Sequence, residues 1–232
     1  MTYKEKKADR RYLNININGN MKLKNTETTR FIIWNIPAVT TCPYKTEQCE
    51  KACYARKAER LYPDVIFSRK TNLKRSLQPD FVENMIFTIE AELATKKFKD
   101  KKVVFRIHES GDFYSLEYTK KWVAIAKHFE NNENIVFMAY TKSIPFILEC
   151  GYGSADFPKN LVVRSSIWAD TKPELLEMTV KNNIPIYTAA KPIEMEAAKN
   201  NGINFMSCPC ADCANCGGCW VKDLKNIVVK IH

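Results

Sequence analysis

The chain contains no apolar run of about eighteen residues, the length a transmembrane helix needs. Its start, Met1-Thr-Tyr-Lys-Glu-Lys-Lys, is basic, but no apolar core follows it. A secretory leader is therefore not expected, and the predicted setting is a reducing cytoplasm with no membrane partner. Histidine is scarce: His108, His128 and His232 are the whole supply, so any metal site is built mainly from sulfur. Acidic residues are outnumbered, 26 against 36 Lys and Arg, which leaves a net charge of +10. Such a balance suits a nucleic-acid partner, because neutralising phosphates drives that binding, and it equally suits a solvated basic surface.

What the chain does have is cysteine. In a reducing compartment, clustered cysteines read as metal ligands before disulfides, and nine is an odd number for a disulfide framework. Eight of the nine fall in two sets. Cys42, Cys49 and Cys53 form C-x6-C-x3-C; Cys208, Cys210, Cys213, Cys216 and Cys219 form C-x-C-x2-C-x2-C-x2-C. Cys150, alone in an apolar run, reads as a small hydrophobe.

Thiolates select zinc, copper(I) or iron–sulfur clusters. Structural zinc sites use paired ligands, whereas the overlapping x2 spacing of Cys213, Cys216 and Cys219 matches the triplet of bacterial ferredoxins. Gly217-Gly218 lets such a backbone pass close to a cluster. The expectation is one or two [4Fe-4S] clusters, with zinc ranked below. Eight ligands suit two clusters, for example Cys42, Cys49, Cys53 and Cys208 for one and Cys210, Cys213, Cys216 and Cys219 for the other.

At 232 residues, 45% of them hydrophobic, the chain is long enough to bury a full core. Residues 1–30 are polar and basic. The alternation Tyr12-Leu-Asn-Ile-Asn-Ile-Asn, a Gly19-Asn20 turn and Met21-Lys-Leu-Lys predict a β-hairpin, placed as an N-terminal extension. Strands are expected at 31–36, 103–108, 134–140, 161–166, 184–188 and 203–206. Helices are expected at 50–60, 64–77, from Asp80 to about 93, 115–129, 172–182 and 192–200, the last closed by Gly202. Alternating β and α elements at this spacing predict a parallel sheet, favoured here as a partial (βα)6 TIM-like barrel over 31–207, with a flat doubly wound sheet as the other form. Residues 208–232 form a Cys-rich tail packed on the barrel.

In parallel α/β architectures the loops after the strands build the site. The first cysteine loop follows the first strand, and Cys208 follows the last. Polar residues after the strands are His108, Glu109, Ser110 and Asp112, then Tyr140, Thr141 and Lys142, then Arg164, Ser165 and Ser166, then Tyr187, Thr188 and Lys191. Of these, His108, Ser110, Asp112, Lys142 and Arg164 are the candidate binders of a cofactor or small polar ligand. Asp112 suits an amine, and Lys142 or Arg164 a carboxylate or phosphate. As ordinary rim residues they would cap helices and solvate the loops instead.

Three cysteines after the first strand, followed by Tyr54 and a helix, resemble the radical S-adenosylmethionine enzymes. That resemblance implies a four-iron cluster with one iron open to S-adenosylmethionine, and often a second cluster in a C-terminal tail. His108-Glu-Ser-Gly-Asp-Phe113 falls where that family carries its amino-binding acidic motif, although the cysteine spacing differs from the family's C-x3-C-x2-C. A second resemblance runs through Asn35-Ile-Pro-Ala, the Cys42–Cys53 loop, Ser110-Gly-Asp-Phe113, Tyr140-Thr-Lys-Ser143 and the tail. These residues are similar to the "gene product eighty-eight" family of phages and mobile elements. It implies a phage or plasmid setting and no established reaction.

Three functions are thus carried forward. The first is an iron–sulfur protein whose clusters are fully Cys-ligated, acting in electron transfer, sensing or structure, with a redox partner. The second is a radical S-adenosylmethionine enzyme using Cys42, Cys49 and Cys53. The third is a metal-stabilised basic protein that binds nucleic acid.

Overall fold

The computed structural model describes residues 3–20, 22–190, 205–208, 212–220 and 226–230. A short helix α1 (Tyr3–Ala8) precedes β1 (Thr29–Trp34). Helices α2 (Glu47–Lys51), α3 (Tyr54–Leu61), α4 (Pro63–Ser76) and α5 (Phe81–Leu93) lead to β2 (Lys102–Ile107). Then come α6 (Leu116–His128), β3 (Ile135–Thr141), α7 (Ile144–Glu149), β4 (Leu161–Ile167), α8 (Pro173–Lys181) and β5 (Ile186–Ala190). The tail supplies β6 (Phe205–Ser207), α9 (Cys213–Cys216) and β7 (Asn226–Lys230). The helix expected at 192–200 and the start of the strand expected at 203 lie outside the described residues.

Among the described residues, seven strands form one sheet in the order β1-β2-β3-β4-β5-β7-β6. Each neighbouring pair is parallel. The sheet is not a closed barrel, since β1 and β6 stand at its two ends. From β1 to β5 the chain always steps to the next strand in one direction. Crossovers of one hand, repeated in one direction, set their helices on one face of a sheet. Accordingly Ile32, Trp34, Phe105, Phe137 and Val163 share a core with Phe81, Met85 and Ile89 of α5, Trp122 and Ile125 of α6, and Ile147 of α7. Helix α8 joins the same face, its Thr179 hydroxyl lying 2.8 Å from that of Ser165. Alternation sends the next residues of each strand to the opposite face. Phe31, Ile33, Val104, Val136, Met138 and Val162 gather there, and Cys213, Ala214, Cys219 and Trp220 of the tail pack against them. A doubly wound sheet would carry helices on both faces.

Two expectations need correction. Strand β7 was not foreseen; the run Asn226-Ile-Val-Val-Lys is short, but its β-branched residues suit a strand, and it pairs between β5 and β6. The N-terminal hairpin does not form among the described residues. Asn side chains there accept the backbone donors that a ladder needs: Asn16 Oδ1 takes Asn18 N, and Asn20 Oδ1 takes Lys22 N and Leu23 N. The segment makes one antiparallel bridge, Asn16 with Ile33, on the free side of β1. Its Leu13 joins the helix-side core and its Leu23 the opposite one, so it wraps the edge strand. A buried ion pair, Lys6 Nζ to Glu92 Oε1 at 2.7 Å, docks α1 onto α5.

The tail's anchor on the helix-free face is testable. Trp220 meets Phe31 edge-on, ring centroids 5.6 Å apart. Trp220→Ala is expected to lower the unfolding free energy by about 2 kcal/mol, read from urea denaturation.

Candidate functional site

The first cysteine set is held by the turns that follow β1. Val39 adopts φ +66°, a strained conformation for a β-branched residue, and its carbonyl accepts from Cys42 N at 3.2 Å. Thr46 caps α2 by accepting from Cys49 N at 3.2 Å. Cys53 is the residue before α3.

The loop after β2 is clamped onto this one. Asn35 Oδ1 accepts from Glu109 N at 2.8 Å and Ser110 N at 3.0 Å, while Ser110 Oγ donates to Ile36 O at 2.9 Å. Gly111 sits at φ +83°, and a Cβ there would lie 2.3 Å from Ile36 Cγ1. Glycine is therefore required for both the conformation and the approach. Asp112 carries the belt onward, accepting from Thr141 Oγ1 at 2.5 Å, Lys142 N at 2.9 Å and Phe113 N at 2.8 Å. Lys142 Nζ donates to Ser166 Oγ at 2.8 Å near the end of β4, just before the next loop. Asp170, at the end of that loop, accepts from Gln48 N of α2 at 2.8 Å. The loops after β1 to β4 thus form a hydrogen-bonded ring that returns to the cysteine loop.

The tail lies on the helix-free face below this ring. Asp212 caps α9, accepting from Ala214 N at 3.0 Å and Asn215 N at 3.3 Å, and Gly217 ends it in the left-handed region. Arg164, 1% exposed, donates from Nη2 to Gly218 O at 2.7 Å and from Nε to Cys219 O at 3.1 Å. Tyr140 contacts the Cys219 thiol and stacks on Tyr187 at 4.1 Å. Its other face carries Arg106, whose guanidinium carbon lies 3.7 Å from the ring centroid. Arg106 is 8% exposed, donates from Nε to His108 O at 3.1 Å, and leaves Nη1 buried with no hydrogen-bond partner. Arg106 thus lies near the tail cysteine Cys213 and near Tyr54 of the first cysteine loop, the residue after Cys53. Sequence reasoning passed over it, although a charged residue inside Val103-Val-Phe-Arg-Ile107, a run expected to be buried, is itself a signal.

The electrostatics follow from crowding. Burial pushes the Cys42 thiol up to about 12, with Asp112, Cys49 and Cys53 adding repulsion. Burial likewise raises Cys213, helped by Cys219 and Cys216. Among the described residues, no three His, Cys, Asp or Glu side chains converge on a single-ion site. Cys210 and Lys191 lie outside the described residues. Cys150 ends α7 as its C-cap.

The five candidate ligand-binding residues divide. Lys142 and Arg164 are on the tail side of the sheet, holding Ser166 and the tail carbonyls. Ser110 and Asp112 are buried in ties between loops. His108 turns away: at φ +64° its ring enters the helix-side core, with Nε2 2.9 Å from the Tyr118 hydroxyl and Phe113 edge-on.

The fold and site define a mixed α/β protein with a seven-stranded parallel sheet, cysteines in the loop after β1 and more in a tail packed on the sheet face opposite α5 to α8. The chain belongs to the Gene product 88 family, whose model matches residues 4–222. It is similar to the Gene 88 protein of Mycobacterium phage D29, 31% identical over 105 residues that cover 44% of this chain and 42% of the relative. It is likewise 31% identical to the Gene 88 protein of Mycobacterium phage L5, over 107 residues, 44% of this chain and 43% of the relative. The matched stretch therefore spans about two fifths of those curated relatives. No solved structure matches the chain. No helix among the described residues is long and apolar enough to cross a membrane.

His108 gives a pH signature. Burial, then repulsion from Arg106, lowers it from 6.5 to about 3 in the folded chain. Between those values the unfolded chain binds the extra proton, so His108's contribution is complete above about 6.5 and is lost as pH falls toward about 3. Denaturation measured across that window is expected to show stability falling with acid, His108 adding about 1.4 kcal/mol per pH unit, and His108→Gln is expected to flatten the slope.

Proposed function

We propose that this chain binds iron–sulfur clusters through its two cysteine sets, ligated fully by thiolates, and serves in electron transfer, sensing or structure. The observation that carries this reading is Arg106. A buried guanidinium is costly unless an anion compensates it, and among the described residues Arg106 makes no ion pair with a carboxylate. The groups near it are the Tyr140 ring, the His108 carbonyl, Tyr54 and the tail cysteine Cys213. Neutral thiols would leave its charge uncompensated. Metal-bound thiolates, on a cluster whose net charge is negative, would compensate it and relieve the crowding at Cys42.

The overlapping x2 spacing of Cys213, Cys216 and Cys219 is what favours a cluster over a single zinc ion, whose ligands come in pairs. A fold reading accompanies this one: a sheet wound in one direction, helices outside and cysteines in the first rim loop, supports a partial barrel of the radical S-adenosylmethionine type. The cofactor-cleaving form of that reading has less support. His108 faces the helix core, and the polar atoms of Ser110 and Asp112 are already spent tying loops together. The family's phage relatives support a phage or mobile-element setting.

The test is iron and acid-labile sulfide per chain on anaerobically purified protein, with paramagnetic resonance before and after S-adenosylmethionine. About eight irons and an unchanged spectrum are expected. Cys208→Ser and Cys210→Ser, made separately, are each expected to reduce iron or alter the spectrum. Zinc without sulfide would overturn the cluster reading, and a spectrum that shifts with S-adenosylmethionine would replace the fully ligated form with the open one.

A further inference from the structure

From the surface of α3 and α4 we infer a second binding site, for single-stranded nucleic acid, which adjoins the first cysteine loop at Cys53. Residues 45–75 hold nine basic and four acidic residues, half of the chain's net charge of +10 in about a seventh of its length. Two of those acids are not free to offset the surface. Glu59 is turned inward, where it accepts from Ala38 N and pairs with Arg69 at 3.0 Å, and Glu50 is taken by Arg56 at 3.2 Å.

Helix periodicity sorts the rest. In α3, Ala55 and Glu59 face the protein, which leaves Tyr54, Lys57, Arg60 and Leu61 outward. Lys51, Cys53, Tyr54, Arg56, Lys57 and Arg60 line one shallow concave surface. Helix α4 buries Arg69, Asn72 and Ser76, so Phe67, Lys70 and Lys74, at i, i+3 and i+7, form one stripe on the opposite side. Lys57, Arg60, Lys70 and Lys74 form no ion pair among the described residues.

Aromatic rings are interleaved with these cations. Tyr54 is 67% exposed and Phe67 73%, with Tyr62 between them in sequence and also exposed. Large aromatics left in water are unusual, and here they are spread among cations instead of merged into one apolar patch. That pattern suits unpaired bases, each of which offers a face for stacking while the cations track the phosphates. Tyr54 is also fixed in place, since its hydroxyl donates to Glu109 O at 2.8 Å while its ring faces solvent. A duplex hides its base faces, and an acidic protein offers charge without planar bases, so a single strand uses both features of the surface where the others use one.

The test is fluorescence anisotropy with a labelled thymidine 20-mer across a salt series, on full-length protein and variants matched for metal content. Affinity is expected to fall with salt by about 0.7 log units per log unit of salt for each phosphate contact. Lys57→Glu with Arg60→Glu should weaken binding at least tenfold and reduce the slope by about 1.4. Tyr54→Ala should weaken binding about tenfold, while Tyr54→Phe, which keeps the ring, should bind like the wild type. Unchanged affinity in the charge-reversed variant would overturn the site. Wild-type binding by Tyr54→Ala would also overturn the nucleic-acid assignment, leaving a surface for polyanions such as an acidic protein. Tighter binding of a duplex of the same length would do the same.

Discussion

A parallel sheet whose crossovers step the same way from β1 to β5 carries the helices of those crossovers on one face, and the step back from β6 to β7 takes the tail across the other. The other features follow from that constraint. That second face carries Phe31, Val104, Val136 and Val162, an apolar surface that water cannot be allowed to reach. In a closed barrel the sheet would curl until this face covered itself. Here the strands end at β1 and β6 without pairing, and the Cys-rich tail takes the place of the missing interior. Trp220 seats on Phe31, Cys213 N reaches Lys22 O at 3.3 Å, and Leu23 closes the edge. The tail cysteines Cys213 and Cys219 reach this face because the tail crosses it, not because the terminal strands meet.

Once the tail lies there, the charge of the face matters. Strand register layers it from apolar at the start of the strands to cationic near their ends: Ile33, Arg106 and Met138 stand level, then Tyr140 and Arg164. Arg164 is answered by backbone carbonyls of the tail at Gly218 and Cys219, which ties the tail to β4 and fixes where its thiols sit. Gly218 also leaves room for the β6 side chain Met206, whose Cε would lie 2.6 Å from a Cβ there. Arg106 lacks such a carbonyl on Nη1. The two arginines therefore act differently: one holds the peptide, and the other leaves charge directed at sulfur.

The sheet and its helices were readable from the sequence because apolar periodicity reports burial directly. Strands β1 to β5 fall within a few residues of the apolar runs, and Ser115, where a helix was expected to begin, caps α6 by accepting from Tyr118 N at 3.2 Å. Periodicity failed where side chains compete with the backbone. Residues 12–24 alternate like a hairpin, yet their asparagines bond locally and the segment wraps an edge. The direction of winding was also hidden, since nothing in an apolar run says which neighbour it pairs with; that is why a barrel and a doubly wound sheet stood together until the helices were seen on one face. For the site, chain position located the right loops but not the task of each residue. His108 looked like a rim residue because the strand was counted straight through it. A left-handed backbone at His108 reverses its side chain, and no sequence pattern announces such a reversal.

Ser110, Gly111 and Asp112 show how a polar rim string is used up in tying loops together. A loop holding three cysteines cannot be fixed by apolar packing alone, since its backbone donors and acceptors must be satisfied wherever it is buried. Ser110 satisfies Ile36 O, Gly111 allows the loops to touch, and Asp112 satisfies two backbone donors and a hydroxyl. The ring then passes through Lys142, Ser166 and Asp170 back to Gln48, one residue before Cys49. Displacing any of these loops would move the turn that carries a cysteine. Rigidity is what a multi-thiolate site needs most, because each sulfur must stay where repulsion from its neighbours would otherwise drive it away. The polar string Ser110-Gly111-Asp112 thus does its work by fixing the loops that carry Cys42, Cys49 and Cys53.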